Sequence, residues 1–79
     1  MSMDISVRVV DDEGNGQSGL RVTLDFGMMY GQSTEFTDDD GWANFEIGGD
    51  YDTCTIFIDG DNYGDHSVED GESFSFVLE

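Results

Sequence analysis

Ile5, Val7 and Val9 alternate with Ser6 and Arg8, and Leu20, Val22, Leu24 and Phe26 alternate with Arg21, Thr23 and Asp25. A period of two sends successive side chains to opposite faces, which marks a strand with one buried face. The same pattern predicts further strands. Residues 33–37 place Thr34 and Phe36 inward. Residues 42–47 place Ala43, Phe45 and Ile47 inward, and residues 53–58 do the same with Cys54, Ile56 and Ile58. A weak strand follows at 66–68. The last one alternates Phe74, Phe76 and Leu78 with Ser73, Ser75 and Val77. No stretch sustains helical spacing.

Between these runs lie polar, glycine-containing segments, and proline is absent. Residues 11–19 read as a polar, flexible hairpin loop. Residues 27–32 form a loop with an apolar centre, Met28-Met29-Tyr30. Asp38-Asp39-Asp40-Gly41 reads as a tight turn, because Asp favours turn starts and Gly supplies positive φ; its flanking strands are expected to pair as a hairpin. Residues 48–50 turn again, 59–65 form an acidic loop, and Asp70-Gly71 leads into the last strand. Seven short strands at this spacing predict one all-β domain over residues 1–79, a Greek-key β-sandwich of about seven strands. A chain of 79 residues buries only about 60% of its unfolded surface, so the core is thin.

Charge changes the picture most. Nineteen acidic residues face two basic ones, Arg8 and Arg21, for a formal net charge of −17 without any lysine. Binding phosphate backbones or anionic headgroups needs Lys or Arg to displace counterions, so neither nucleic acid nor an anionic membrane is an expected partner. The aromatic share of 13%, set in alternating runs, argues against a disordered acidic tail. This lysine-free, Asp-rich composition resembles that of proteins from extreme halophiles. At about 1 M salt the Debye length is only about 3 Å and like charges stop repelling; in dilute buffer the same charges destabilise the compact state. No secretory h-region or membrane-spanning stretch is visible, which leaves the cytoplasm as the default expectation.

One string of motifs resembles a known family. Val9-Val10-Asp11-Asp12-Glu13-Gly14 is followed by Gly19-Leu20-Arg21-Val22-Thr23-Leu24, then by Thr37-Asp38-Asp39-Asp40-Gly41-Trp42-Ala43-Asn44-Phe45, with Tyr51 before the next strand. Together these resemble the carboxypeptidase regulatory-like, or transthyretin-like, β-sandwich domains over nearly the whole chain. Such domains usually carry Pro and an apolar residue in the first loop. Here it reads Gly14-Asn15-Gly16-Gln17-Ser18-Gly19, so it is expected to pack differently. The resemblance implies a transthyretin-like or Ig-like fold and an accessory, interaction or spacing role. It does not carry over the hydrolase activity known in part of that group, which uses His, Arg and a basic C-terminal motif, whereas this chain ends Phe76-Val77-Leu78-Glu79. Isopeptide bonds of the adhesin type need lysine and cannot form.

Several constellations were weighed for chemistry. Residues 14–19 satisfy G-x-G-x-x-G literally, but a period-two segment follows, so no helix N-terminus meets a pyrophosphate. No G-x-S-x-G elbow exists. His66 is the single histidine, Ser67 beside it points to the opposite face, and Cys54 has no second cysteine for a zinc pair. Cys54 reads as a small buried hydrophobe, without the positive neighbours a reactive thiol needs. No catalytic residue and no organic cofactor is expected. A calcium or other divalent site is the one cofactor candidate: Asp59, Asp61 and Asp65, joined by Asp50 or Asp52, or alternatively Asp38, Asp39 and Asp40, supply the oxygens a hard cation takes at about 2.4 Å.

Two functional readings therefore stand side by side. In one, a non-catalytic accessory or protein-interaction domain presents Met28, Met29, Tyr30, Trp42 and Phe57 to a protein partner or another copy of itself, as exposed aromatic and Met clusters do; alternatively, the 28–30 loop folds over the sandwich edge and completes the core. In the other, the aspartate loop is a cation-binding module.

Overall fold

The computed structural model describes residues 2–28 and 30–78. They form seven strands and, among the described residues, no helix: β1 (Ser2–Val10), β2 (Arg21–Asp25), β3 (Gln32–Phe36), β4 (Trp42–Gly48), β5 (Thr53–Ile58), β6 (Asp61–Ser67) and β7 (Glu72–Val77). One sheet has three strands in the order β4-β1-β7, the other four in the order β3-β2-β5-β6. All pairs are antiparallel except β1 with β7, which runs parallel with Ile5 beside Glu72 and Val9 beside Phe76.

The alternation seen in the sequence decides what is buried. Met3, Ile5, Val7 and Val9 from β1 meet Val22 and Leu24 from β2, Ala43, Phe45 and Ile47 from β4, and Cys54, Ile56 and Ile58 from β5 in one apolar cluster, closed by Val68. Fully burying a Val, Leu or Ile contributes about 1.5–3 kcal/mol. Truncating Ile5 or Ile56 to Ala would remove about 2–5 kcal/mol, a large part of the margin of so small a domain.

Four sequence expectations are corrected. The strands flanking residues 38–41 do not pair as a hairpin. β3 pairs with β2 and β4 with β1, so the Asp38–Gly41 turn carries the chain from one sheet to the other. Asp38 closes that turn by accepting the Asp40 and Trp42 N–H groups on Oδ1, and Thr37 peels the chain off β2 by holding Leu20 N–H and Gln17 C=O.

Phe36 does not face inward. It stands beside Arg21 on the outer face and is 64% exposed. Thr34 shares that face, its hydroxyl 3.0 Å from that of Thr23. The inner register of this edge strand is taken by Ser33 and Glu35, beside Leu24 and Val22.

Residues 59–65 are not one loop. Asp59 and Gly60 alone make the turn, with φ of 52° and 89°, the signature of a type I′ hairpin. β6 begins at Asp61, earlier than the 66–68 strand expected from the sequence.

The 11–19 segment, finally, is neither a hairpin nor slack. It crosses between sheets. Asp11 Oδ1 accepts from Glu13 and Asn15 N–H, Gln17 N–H donates to Val9 C=O, and Gly19 N–H donates to Thr37 C=O. The Asn15 N–H, first among these bonds, holds the Asp11 carboxyl below its ordinary pKa.

Candidate functional site

The β2–β3 hairpin ends in a turn built on Gly27. Its C=O accepts from Tyr30 and Gly31 N–H, and its own N–H donates to Asp25 Oδ1. This turn leaves Met28 wholly exposed and Tyr30 65% exposed. Tyr30 is not isolated. Its ring meets Tyr51 edge-on at 5.3 Å, and Tyr51 stacks on Phe26 at 4.5 Å. Tyr51 arrives from the β4–β5 connection and its N–H points at Met3 Sδ, which anchors this aromatic terrace to the core. The terrace borders two shallow depressions of about 170 and 280 Å³, with Asp50 and Asp52 at the rim of the larger. An edge-and-stack aromatic trio contributes about 0.5–1.5 kcal/mol per pair beyond burial.

The described residues expected to form one contact surface, Met28, Tyr30, Trp42 and Phe57, do not all come together. Trp42 lies on the outer face of the three-stranded sheet, beside Arg8, whose guanidinium sits 5.8 Å from the indole centroid. Arg8 Nε also donates to Asp40 C=O. Phe57 lies on the outer face of the other sheet, beside Thr23 and Asn62, and lines a depression of about 300 Å³ with Arg21, Thr23, Gln32, Thr34 and Gly60. These two faces look away from each other. Met28 and Tyr30 belong to the terrace, and Met29 lies outside the described residues. Sequence reading missed Phe26 and Tyr51 as Tyr30's partners. The available signal was their position: both are aromatic and each adjoins a turn.

The aspartates fare similarly. Asp59 is in the turn. Asp61 is at the inner register beside Ile58, while Asp65 is at the outer register beside Thr55, whose hydroxyl donates to it. The parity changes because β6 carries an extra residue: Thr55 pairs with Asp65 but Phe57 pairs with Asn62, and Gly64 at φ 97° absorbs the bulge. Among the described residues, no three His, Cys, Asp or Glu side chains stand close enough to hold a metal ion.

Cys54 is buried on β5, and burial, with Asp65 and Asp25 adding repulsion, pushes its thiol up to about 11. His66 places Nε2 3.0 Å from the Tyr63 carbonyl oxygen and packs against Phe74 and Phe76. No helix among the described residues is long and apolar enough to cross a membrane. No protein-family model, curated protein or solved structure matches this chain.

Proposed function

We propose that this chain is a non-catalytic protein-interaction domain of the transthyretin-like, Greek-key β-sandwich type, suited to high salt. The observation that carries the reading is the terrace of Phe26, Tyr30 and Tyr51 with Met28 fully exposed beside it, since exposed aromatic and Met groups on a rigid base are what interfaces are built from. The strand order supports the architecture: β1 returns beside β4 while β2 and β3 lie in the other sheet, and the first and last strands pair in parallel. The net charge of −17 supports the salt preference.

The test is a double substitution, Met28→Ser with Tyr30→Ser. Capture of partners from extracts of the producing cells, and sedimentation of the purified domain, are both run in molar KCl. Loss of a captured partner or of self-association in the variant supports the reading. Equal capture and equal sedimentation by both proteins removes it.

A further inference from the structure

The two sheets differ in width by one strand. β3 and β4 face each other across the layers. At the end away from that corner β7 is the last strand of its sheet and β6 the last of the other, and the rings of Phe74 and Phe76 meet those of Tyr63 and His66 across the layers. Tyr63 and His66 lie on the inner register of β6, at this outer end of the two layers. Phe74 and Phe76 lean over them, with ring centroids 5.6 Å apart for Tyr63–Phe76 and 5.3 Å for His66–Phe74. All four side chains are half-buried.

β7 also has a free edge. Leu78 N–H donates to Val10 C=O in the neighbouring β1. Backbone groups alternate sides along a strand, so Phe74 and Phe76 turn theirs toward β1 while Ser73, Ser75 and Val77 turn theirs away, where no strand lies. Edge strands are ordinarily blunted by bulges, charge or proline. β6 has a bulge and two aspartates, and β3 and β4 cover each other's corner. Between Ser73 and Val77, β7 has none of these devices.

We propose that a partner protein adds an extended strand to the β7 edge, as the fourth strand of this sheet, and that this strand carries Lys or Arg at both ends of an apolar-alternating centre. The apolar side chains cover Tyr63, His66, Phe74 and Phe76. The charge pattern follows from the acids around this strip. Asp61 lies at the end near Phe76, and Glu69, Asp70 and Glu72 lie at the other, with no cation on β6 or β7. A second copy is a poor occupant: antiparallel pairing of two β7 strands would bring Glu72 of one copy to the Asp61 end of the other. Backbone pairing gives such strand addition its affinity and the alternate side chains give it selectivity. This surface shares no residue with the Phe26–Tyr30–Tyr51 terrace, so the two proposals fail independently.

The probes are two capped eight-residue peptides with alternating valine and threonine centres, one ended by lysines and one by glutamates. They are titrated into the labelled domain at the lowest KCl concentration at which circular dichroism shows it folded, so that charge is screened least. The expected result is amide shifts at Ser73, Ser75 and Val77, ring shifts at Tyr63 and His66, and about tenfold tighter binding of the lysine-ended peptide. Ser75→Pro removes an N–H that no neighbour accepts, on an edge where proline is tolerated, and should abolish the shifts. The pair Asp61→Lys and Glu72→Lys, both at the strip's ends, should invert the preference between peptides. Equal binding of both peptides, shifts that map elsewhere, no shifts, or a peptide-free dimer paired through β7 would each overturn the proposal.

Discussion

Gly16 and Asp40 pack backbone on backbone: a methyl group on Gly16 would overlap the Asp40 carbonyl, and one on Gly41 would overlap the Val9 carbonyl. Of the glycines that look like a phosphate loop in the sequence, Gly16 is the one that packing demands, because the first crossing and the Asp38–Gly41 turn press together at the end of β1, where Gly16 bridges Val10. Gly16→Ala should therefore destabilise the domain by about 2–4 kcal/mol, by forcing two backbones apart. Gly14→Ala meets open space and pays only for its φ of 86°, about 1 kcal/mol. Urea denaturation of the two variants checks the order; equal effects would contradict the packing argument.

Thr37 makes the second clamp on this crossing. Its hydroxyl donates to Gln17 C=O at 2.6 Å and accepts Leu20 N–H at 2.9 Å, and the residue is buried. Thr37→Val keeps the shape and strands both backbone groups. The expected loss is about 1–3 kcal/mol, with faster amide exchange at Leu20 as the local signature.

Cys54 predicts an alkaline limb of stability. Its folded pKa of about 11 lies above the ordinary 9.0, so the folded state holds the proton more tightly. That contribution is complete below pH 9 and disappears as pH rises through 11, up to about 2–3 kcal/mol. Cys54→Ala should flatten this limb relative to the parent protein in denaturation curves between pH 8 and 11. An unchanged slope would show that the thiol is not linked to folding.

Salt should stabilise the domain generically. Raising KCl toward molar concentrations should raise Tm continuously, because nearly all nineteen acids repel through solvent and screening removes that repulsion. CaCl2 at matched ionic strength should do the same and no more. A calcium-specific rise saturating near about 1 mM would instead point to a bound ion, and amide shifts would locate it.

Legibility in the sequence followed burial. β4 and β5 face the core along their length, so Ala43, Phe45, Ile47, Cys54, Ile56 and Ile58 take the sides that their alternation predicts. At the rim of the core the link weakens. Phe36 lies outward because β3 has its inner register, Ser33 and Glu35, at the rim of the core. β6 was hidden because Gly64 breaks its period and its aspartates read as loop. Which strands pair is the harder question: a tight turn such as 38–41 closes equally well between strands of one sheet or of two, and only long-range packing at Thr37 and Gly16 decides. The terrace was legible in half, through Met28 and Tyr30; Phe26, in the same hairpin end, reads as core from its alternation with β2, and Tyr51 comes from the β4–β5 connection, to which no local pattern joins it.

The parallel pairing of β1 with β7 governs how the molecule is made. Ile5 finds its neighbour Glu72 only after the five strands between them have been synthesised. Closing so long a loop is entropically slow. Until then the three-stranded sheet consists of β1 and β4 alone, with one flank of β1 bare. On the ribosome, β1 must wait half-paired for β7 to emerge, and this interval is when the nascent chain is most open to wrong strand partners.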